Sequence, residues 1–183
     1  MEHKKIVIPS LSFFQNELKG EGVVKSRRTL GAGIFENQDA YSQLPLDQLA
    51  YEVYSYLPER EGTPGGLYFG ITQLYPGKVG DEYFMTKGHF HQQEDRSEYY
   101  WGLEGEGMLI LMDRERNTWA ERMMPGSLHY IPGGVAHRVA NTGNSVLSFA
   151  ACWPSDAGHN YEEIANKGFS ARLVEVDGTP KLR

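Results

Sequence analysis

The chain has 183 residues, 40% of them hydrophobic and 23% charged, with a formal net charge of −6. That is enough chain for one domain with its own core and too apolar for disorder, and the negative balance favours neither nucleic acid nor an anionic membrane surface as a partner. A single cysteine, Cys152, excludes an internal disulfide, MEHKKIVIPS lacks the apolar stretch of a signal peptide, and no run of about 18 apolar residues offers a membrane span, so a cytoplasmic location is expected.

In chain order, residues 1–50 read as an irregular arm with weak helical patches, packing on the domain that follows. His3 lies in it and joins no pattern, and DAYSQLPLDQLA predicts a short helix broken by Pro45. From residue 51 the texture changes. YEVYSYL, LYFGITQLY, EYYWGLEG, GMLILM, TWAERM, LHYIP, AHRVANT and VLSFAACW are short, rich in aromatic and β-branched residues, and mostly separated by turn formers. Such spacing predicts an all-β sandwich or barrel over residues 51–183. Cys152, inside SFAACW, reads as a core thiol. Near the end, DAGHNYEEIANKG predicts a helix stopped by Gly168, and FSARLVEV returns to a strand.

Chemistry concentrates in GHFHQQEDRSE, Gly88 to Glu98. In an extended chain, residues i and i+2 share a face, so His89 and His91 project together, and paired imidazoles suit iron, manganese, nickel or zinc. Of the three acids that follow, Glu98 is favoured because it opens EYYWGLEGEG, with Gly105 seven positions on. Glu94 and Asp95 read as loop acids, with an Asp95–Arg96 ion pair. Further on, PGSLHYIPGGVAHRVAN sets Gly126, Pro132, Gly134, His137 and Asn141 around a tight turn, with His137 just inside the second strand. His129 reads as an ordinary strand histidine bonded to its neighbours.

These two stretches resemble the paired motifs of the cupin superfamily, which implies a double-stranded β-helix, or jelly-roll, barrel. The second motif matches at every fixed position. The first departs in the gap from His91 to Glu98, six residues where the general pattern has three or four. Around the histidines stand groups suited to a small phosphate: Thr72, Lys78, Thr86, Lys87 and the backbone of Gly88. PSDAGHNY adds His159 and Tyr161, two polar rings able to face a hydroxylated substrate, with Asp156 or Asn160 as a helix cap.

Taken together, LYPGKVG, TKGHFH, Glu98, IPGGVAHRVAN and PSDAGHNYEEIANKGFS look like the cupin-type glucose-6-phosphate isomerases, a similarity running from about Arg27 to Val176. The longer gap before Glu98 is itself a trait of that family. The resemblance implies His89, His91, Glu98 and His137 as ligands of one divalent metal per subunit, iron first among iron, manganese, nickel and zinc. It further implies Thr72, Thr86 and Gly88 at the phosphate, and Tyr51, Tyr100, His159 and Tyr161 around the sugar. Where the family often has tyrosine before PxDAGH, this chain has Trp153. The implied activity is reversible isomerisation of glucose 6-phosphate and fructose 6-phosphate, by a cis-enediol or a hydride shift, with Glu98 as base and His159 or Tyr161 assisting ring opening. A homodimer is implied, with no nucleic-acid or membrane partner. Other cupin metalloenzymes, a sugar-phosphate epimerase or a dioxygenase, and a non-catalytic sugar sensor are the alternatives.

Overall fold

The computed structural model describes residues 6–14, 16–31 and 33–183, so His3 lies outside the described residues. Nearly all of its regular secondary structure is strand. The arm supplies β1 (Leu11–Phe14), β2 (Glu17–Gly20), β3 (Val23–Thr29) and the helix α1 (Gln38–Ser42). The middle supplies β4 (Leu49–Tyr56), β5 (Leu67–Leu74), β6 (Lys78–Val79), β7 (Glu82–Tyr83), β8 (Glu98–Glu104), β9 (Gly107–Met112) and β10 (Thr118–Met123). β11 (Leu128–Ile131), β12 (Ala136–Asn141), β13 (Leu147–Pro154), α2 (Glu162–Lys167), β14 (Leu173–Val176) and β15 (Thr179–Leu182) complete the chain.

Two facing sheets make the barrel. One is six-stranded, in the order β11-β8-β13-β5-β4-β3, and the other runs β10-β9-β12. The extended segment before β8 lengthens the second sheet, because Met85 and His89 bridge to Ala140 and His137 of β12. Alternation sorts the side chains. On β9, Leu109 and Leu111 join Leu74, Val139 and Leu147 in the barrel interior. Ile110 and Met112 point the other way, into a layer with Phe84, Phe90, Ile164 and Phe169. GMLILM is an unbroken apolar run because both faces of β9 are covered.

The eight strands read from residue 51 onward all form, as do the two short helices. α1 is held at its start by Asn37, whose side chain accepts from the Ala40 N–H, and it ends before Pro45. α2 stops at Gly168, at φ 63, where glycine escapes the Cβ penalty of positive φ. The arm is more ordered than its irregular composition indicates. β3 pairs through seven residues with β4 and forms the edge of the six-stranded sheet, so residue 51 does not mark a structural break. β1 and β2 form a hairpin, and Leu18 of β2 packs on the sheet's outer face against Tyr54, Ile71 and Ala150.

Candidate metal centre and substrate cavity

Four side chains meet at the inner wall of the barrel. His89 and His137 are directly opposed, each N–H donating to the other's carbonyl, at 3.3 and 3.1 Å. Paired residues share a face, and the two rings stand 4.4 Å apart. His91, two residues on, reaches the same side, as the spacing predicts. Glu98 comes from the opposite sheet, at the start of β8, and is 4% exposed. Its Oε1 lies 3.2 Å from His91 Nε2 and 2.5 Å from His137 Nε2. One donor atom from each of the four residues falls within 4.8 Å of all the others.

The donor set fits a divalent ion. His91 Nδ1–H donates to the Arg96 carbonyl at 2.8 Å, and His137 Nδ1–H to the Val135 carbonyl at 3.2 Å. Each bond fixes the tautomer that turns an Nε2 lone pair toward the cluster. Nε2 of His137 is buried, close to a carboxylate oxygen, and makes no hydrogen bond. Three imidazoles and a carboxylate turned toward one point are a donor set that could hold a metal ion. Burial alone would raise the pKa of Glu98, yet the opposing pull of His137 and His91 holds it well below the usual carboxylate range. Burial, then the neighbouring His137 and His159, drives His89 far down, which keeps it neutral, the form a metal ligand needs.

The cluster opens into a cavity of about 600 Å³ whose wall is the inward face of the large sheet. Alternate residues supply it: Ser26 and Arg28 from β3, Tyr51 and Val53 from β4, Thr72 from β5, and Tyr100 from β8. Val53 pairs with Thr72, which pairs with Phe149, so one ladder row forms part of the floor. Tyr100 stands edge-on to His137 with ring centres 5.7 Å apart. Burial first, then the Glu98 charge, lifts its phenol well above the ordinary value, so it remains a neutral donor. His159 and Tyr161 stack nearly parallel at 5.5 Å, with His159 4.4 Å from His89. Burial lowers His159 and leaves it neutral and able to accept a proton.

Every site residue picked out in the sequence except Lys78 is at or beside this cavity. Lys78 turns away and pairs with Glu175 at 2.7 Å on the small sheet β15-β14-β7-β6. Thr86 Oγ1 accepts from the Val139 N–H at 3.0 Å, which leaves its own proton to donate. Of the acids after His91, Asp95 pairs with Arg96 at 2.7 Å and Glu94 with Arg114, both on the surface. Arg96 also clasps Asp156 with two hydrogen bonds, at 2.9 and 2.8 Å, so Asp156 anchors the loop and does not cap α2. Asn160 accepts from the Glu162 N–H instead. His129 is buried between Glu121 at 2.7 Å and Ser127 at 2.9 Å, away from the cluster. Trp153 packs edge-on against Tyr68, and Gly70 makes room for it, since a Cβ there would come within 3.2 Å of the indole.

Sequence reasoning missed Ser26 and Arg28. The signal was their i, i+2 spacing in VVKSRRT, but nothing local marks that strand as paired with the barrel. Gly88 has two reasons to be glycine: φ is +77°, and a Cβ would stand 3.0 Å from Phe169 and 3.1 Å from the Arg138 side chain. Gly88→Ala is expected to lower stability by about 1–3 kcal/mol, measured by urea unfolding; an unchanged midpoint would show that the segment yields freely.

A barrel of two facing sheets with three imidazoles and one carboxylate converging inside it defines a cupin-type protein whose cluster can hold a metal ion. The family model for glucose-6-phosphate isomerase matches residues 24–182. A glucose-6-phosphate isomerase of Thermococcus kodakarensis is 40% identical over 183 residues, covering 100% of this chain and 96% of that one. That of Pyrococcus furiosus is 43% identical over 166 residues, covering 88% and 87%. Among solved structures, oxalate decarboxylase of Bacillus subtilis superposes with a TM-score of 0.48 and 17% identity, over 66% of this chain and 29% of that one. The chain belongs to the glucose-6-phosphate isomerase family.

Proposed function

We propose that the chain interconverts glucose 6-phosphate and fructose 6-phosphate in this cavity. The observation that carries the reading is the convergence, in a member of this family, of the His89–His91–Glu98–His137 cluster with a set of groups able to bind a phosphate along one wall. Thr72, Thr86 and the Gly88 backbone offer neutral donors. Arg28 and Lys87 add charge: Lys87 Nζ stands 4.3 Å over the Tyr161 ring, and Arg28 is close enough to ease the burial-driven rise of Tyr51 and Tyr161. Tyr51, Tyr100, His159 and Tyr161 surround the space left for the sugar.

A divalent ion held by the four ligands would supply Lewis acidity at the sugar's C1 and C2 oxygens. Iron is the first expectation, with manganese, nickel and zinc also accepted by such a donor set. A coupled assay in both directions, after reconstitution with each metal in turn, tests the reading; no turnover with any of them overturns it.

His159 accepts the hydroxyl proton as the ring opens, with Tyr161 stacked on it to fix its plane. Glu98 faces the carbon skeleton and is ionised, so it is the candidate to carry hydrogen from C2 to C1 by way of a cis-enediol. Its low affinity for protons makes it a weak base, and a direct hydride shift is the competing route. With C2-deuterated substrate, loss of most of the label to water is expected; full retention at C1 would assign the hydride route.

Arg28→Met is expected to raise KM about 10–100-fold, the worth of roughly one charge-assisted hydrogen bond, with kcat little altered. Steady-state kinetics check it, and an unchanged KM would remove Arg28 from the phosphate end. We take the working form to be a homodimer to which the arm contributes. Phe13 and Phe14 on β1, 55% and 66% exposed, are available for such a contact, and sedimentation at several concentrations tests it.

A further inference from the structure

Both faces of β12 lead to cavities. His137 faces the barrel interior. Arg138, the next residue, faces outward by strand alternation and lines a second cavity of about 340 Å³ behind the β12 wall. Ile34 of the arm, the end of α2, Phe169 and Arg172 also line it. Arg138 is 6% exposed. Its guanidinium lies over the Phe169 ring at 4.0 Å, and one terminal nitrogen donates only to Met85 Sδ at 3.1 Å. Nε has no hydrogen-bond partner. Among the described residues, no carboxylate lies within ion-pair distance of Arg138, Lys87 or Lys167, and all three line this cavity.

A buried guanidinium without a counter-ion is costly, and the chain's acids leave this one unmatched. The nearest candidate, Glu82, is taken by Arg172 at 2.9 Å and by the Glu36 N–H. At the end of α2, Arg116 donates to the carbonyls of Lys167 and Gly168, which offsets part of their negative character. Three cations without acidic partners, one of them buried, lining one cavity in a chain of net charge −6, describe a receptor for an anion from solution.

We propose that this cavity is a second anion site, taking free inorganic phosphate, separate from the metal centre and coupled to it. Lys87 lines both cavities, and Gly88 packs directly on Arg138 and Phe169. An occupant that draws Lys87 toward Arg138 withdraws a cation from the sugar-phosphate cavity, so filling the second site weakens substrate binding without blocking it.

Inorganic phosphate is the probe. Equilibrium dialysis of radiolabelled phosphate against the metal-loaded protein is run with a saturating equilibrium mixture of glucose 6-phosphate and fructose 6-phosphate, which fills the first cavity. One phosphate per chain is expected to remain bound. Arg138→Met, which keeps the packing on Phe169, is expected to weaken it at least tenfold. Lys167→Gln, on the surface, is expected to weaken it severalfold while leaving phosphate-free turnover unchanged. Complete displacement by the sugar phosphates, or undiminished binding in Lys167→Gln and Arg138→Met, overturns the proposal. If the protein proves not to bind sugar phosphates at all, the same titration without them still reads the second site through the two variants.

Discussion

Glu98→Gln is expected to lower kcat by about 10²–10⁴-fold while the protein stays folded, the range that a positioned acid–base group contributes. Glutamine has the same shape and keeps one acceptor oxygen, so the buried site near the start of β8 should still close. What it loses is the only carboxylate of the cluster. Oε1 lies within 3.2 Å of His91 Nε2 and 2.5 Å of His137 Nε2, and an amide cannot supply a negative charge at that point. Metal content measured on the same preparations separates two roles. If metal and kcat fall together, the carboxylate acts chiefly as a ligand. If metal is retained and kcat falls, it acts chiefly on the substrate's hydrogen. Full activity with full metal would remove Glu98 from both.

How far the centre was legible in the sequence follows from which contacts are local. The projection of His89 and His91 from one face needs only the two-residue strand period. The turn before His137 is written in Gly126, Pro132 and Gly134. Choosing Glu98 over Glu94 and Asp95 rested on its place at the head of EYYWGLEGEG, on the spacing to Gly105 and on the family's longer gap; in the structure Glu98 is buried among imidazoles, whereas the other two face arginines on the surface. Contacts set by long-range register were not legible. Nothing in VVKSRRT says that Arg28 will lie opposite Tyr51, because edge pairing depends on residues more than twenty positions away. Lys78 failed for the same reason: sequence proximity to the ligands suggested the cavity, but β6 pairs into a separate small sheet and delivers the ammonium to Glu175. Arg138 was hidden by its neighbour. The motif that marks His137 gives no weight to the residue after it, although alternation along β12 sends that residue into a cavity of its own.

Asn141 closes the second motif, and its substitution carries the largest expected effect on stability. It faces inward on β12 like His137, is 0% exposed, and is too far along the strand to reach the metal cluster. Its Nδ2 donates to the Leu74 carbonyl on β5 and to the Ser145 carbonyl, both at 2.8 Å, and its Oδ1 accepts from the Gly143 N–H at 2.9 Å. One side chain therefore ties the two sheets together and folds the loop between β12 and β13. Asn141→Leu fills similar volume but strands the Leu74 carbonyl in the interior and releases the Ser145 carbonyl and the Gly143 N–H of the half-buried loop. At about 1–1.5 kcal/mol for each bond, with a further penalty for the buried groups left unpaired, the loss is expected to be roughly 3–5 kcal/mol. Urea unfolding followed by tryptophan fluorescence measures it, and the folded fraction should keep most of its metal. A loss below about 1 kcal/mol would mean that water or a backbone shift replaces all three bonds. Intact stability with lost metal would move Asn141 from the frame of the barrel to the support of His137.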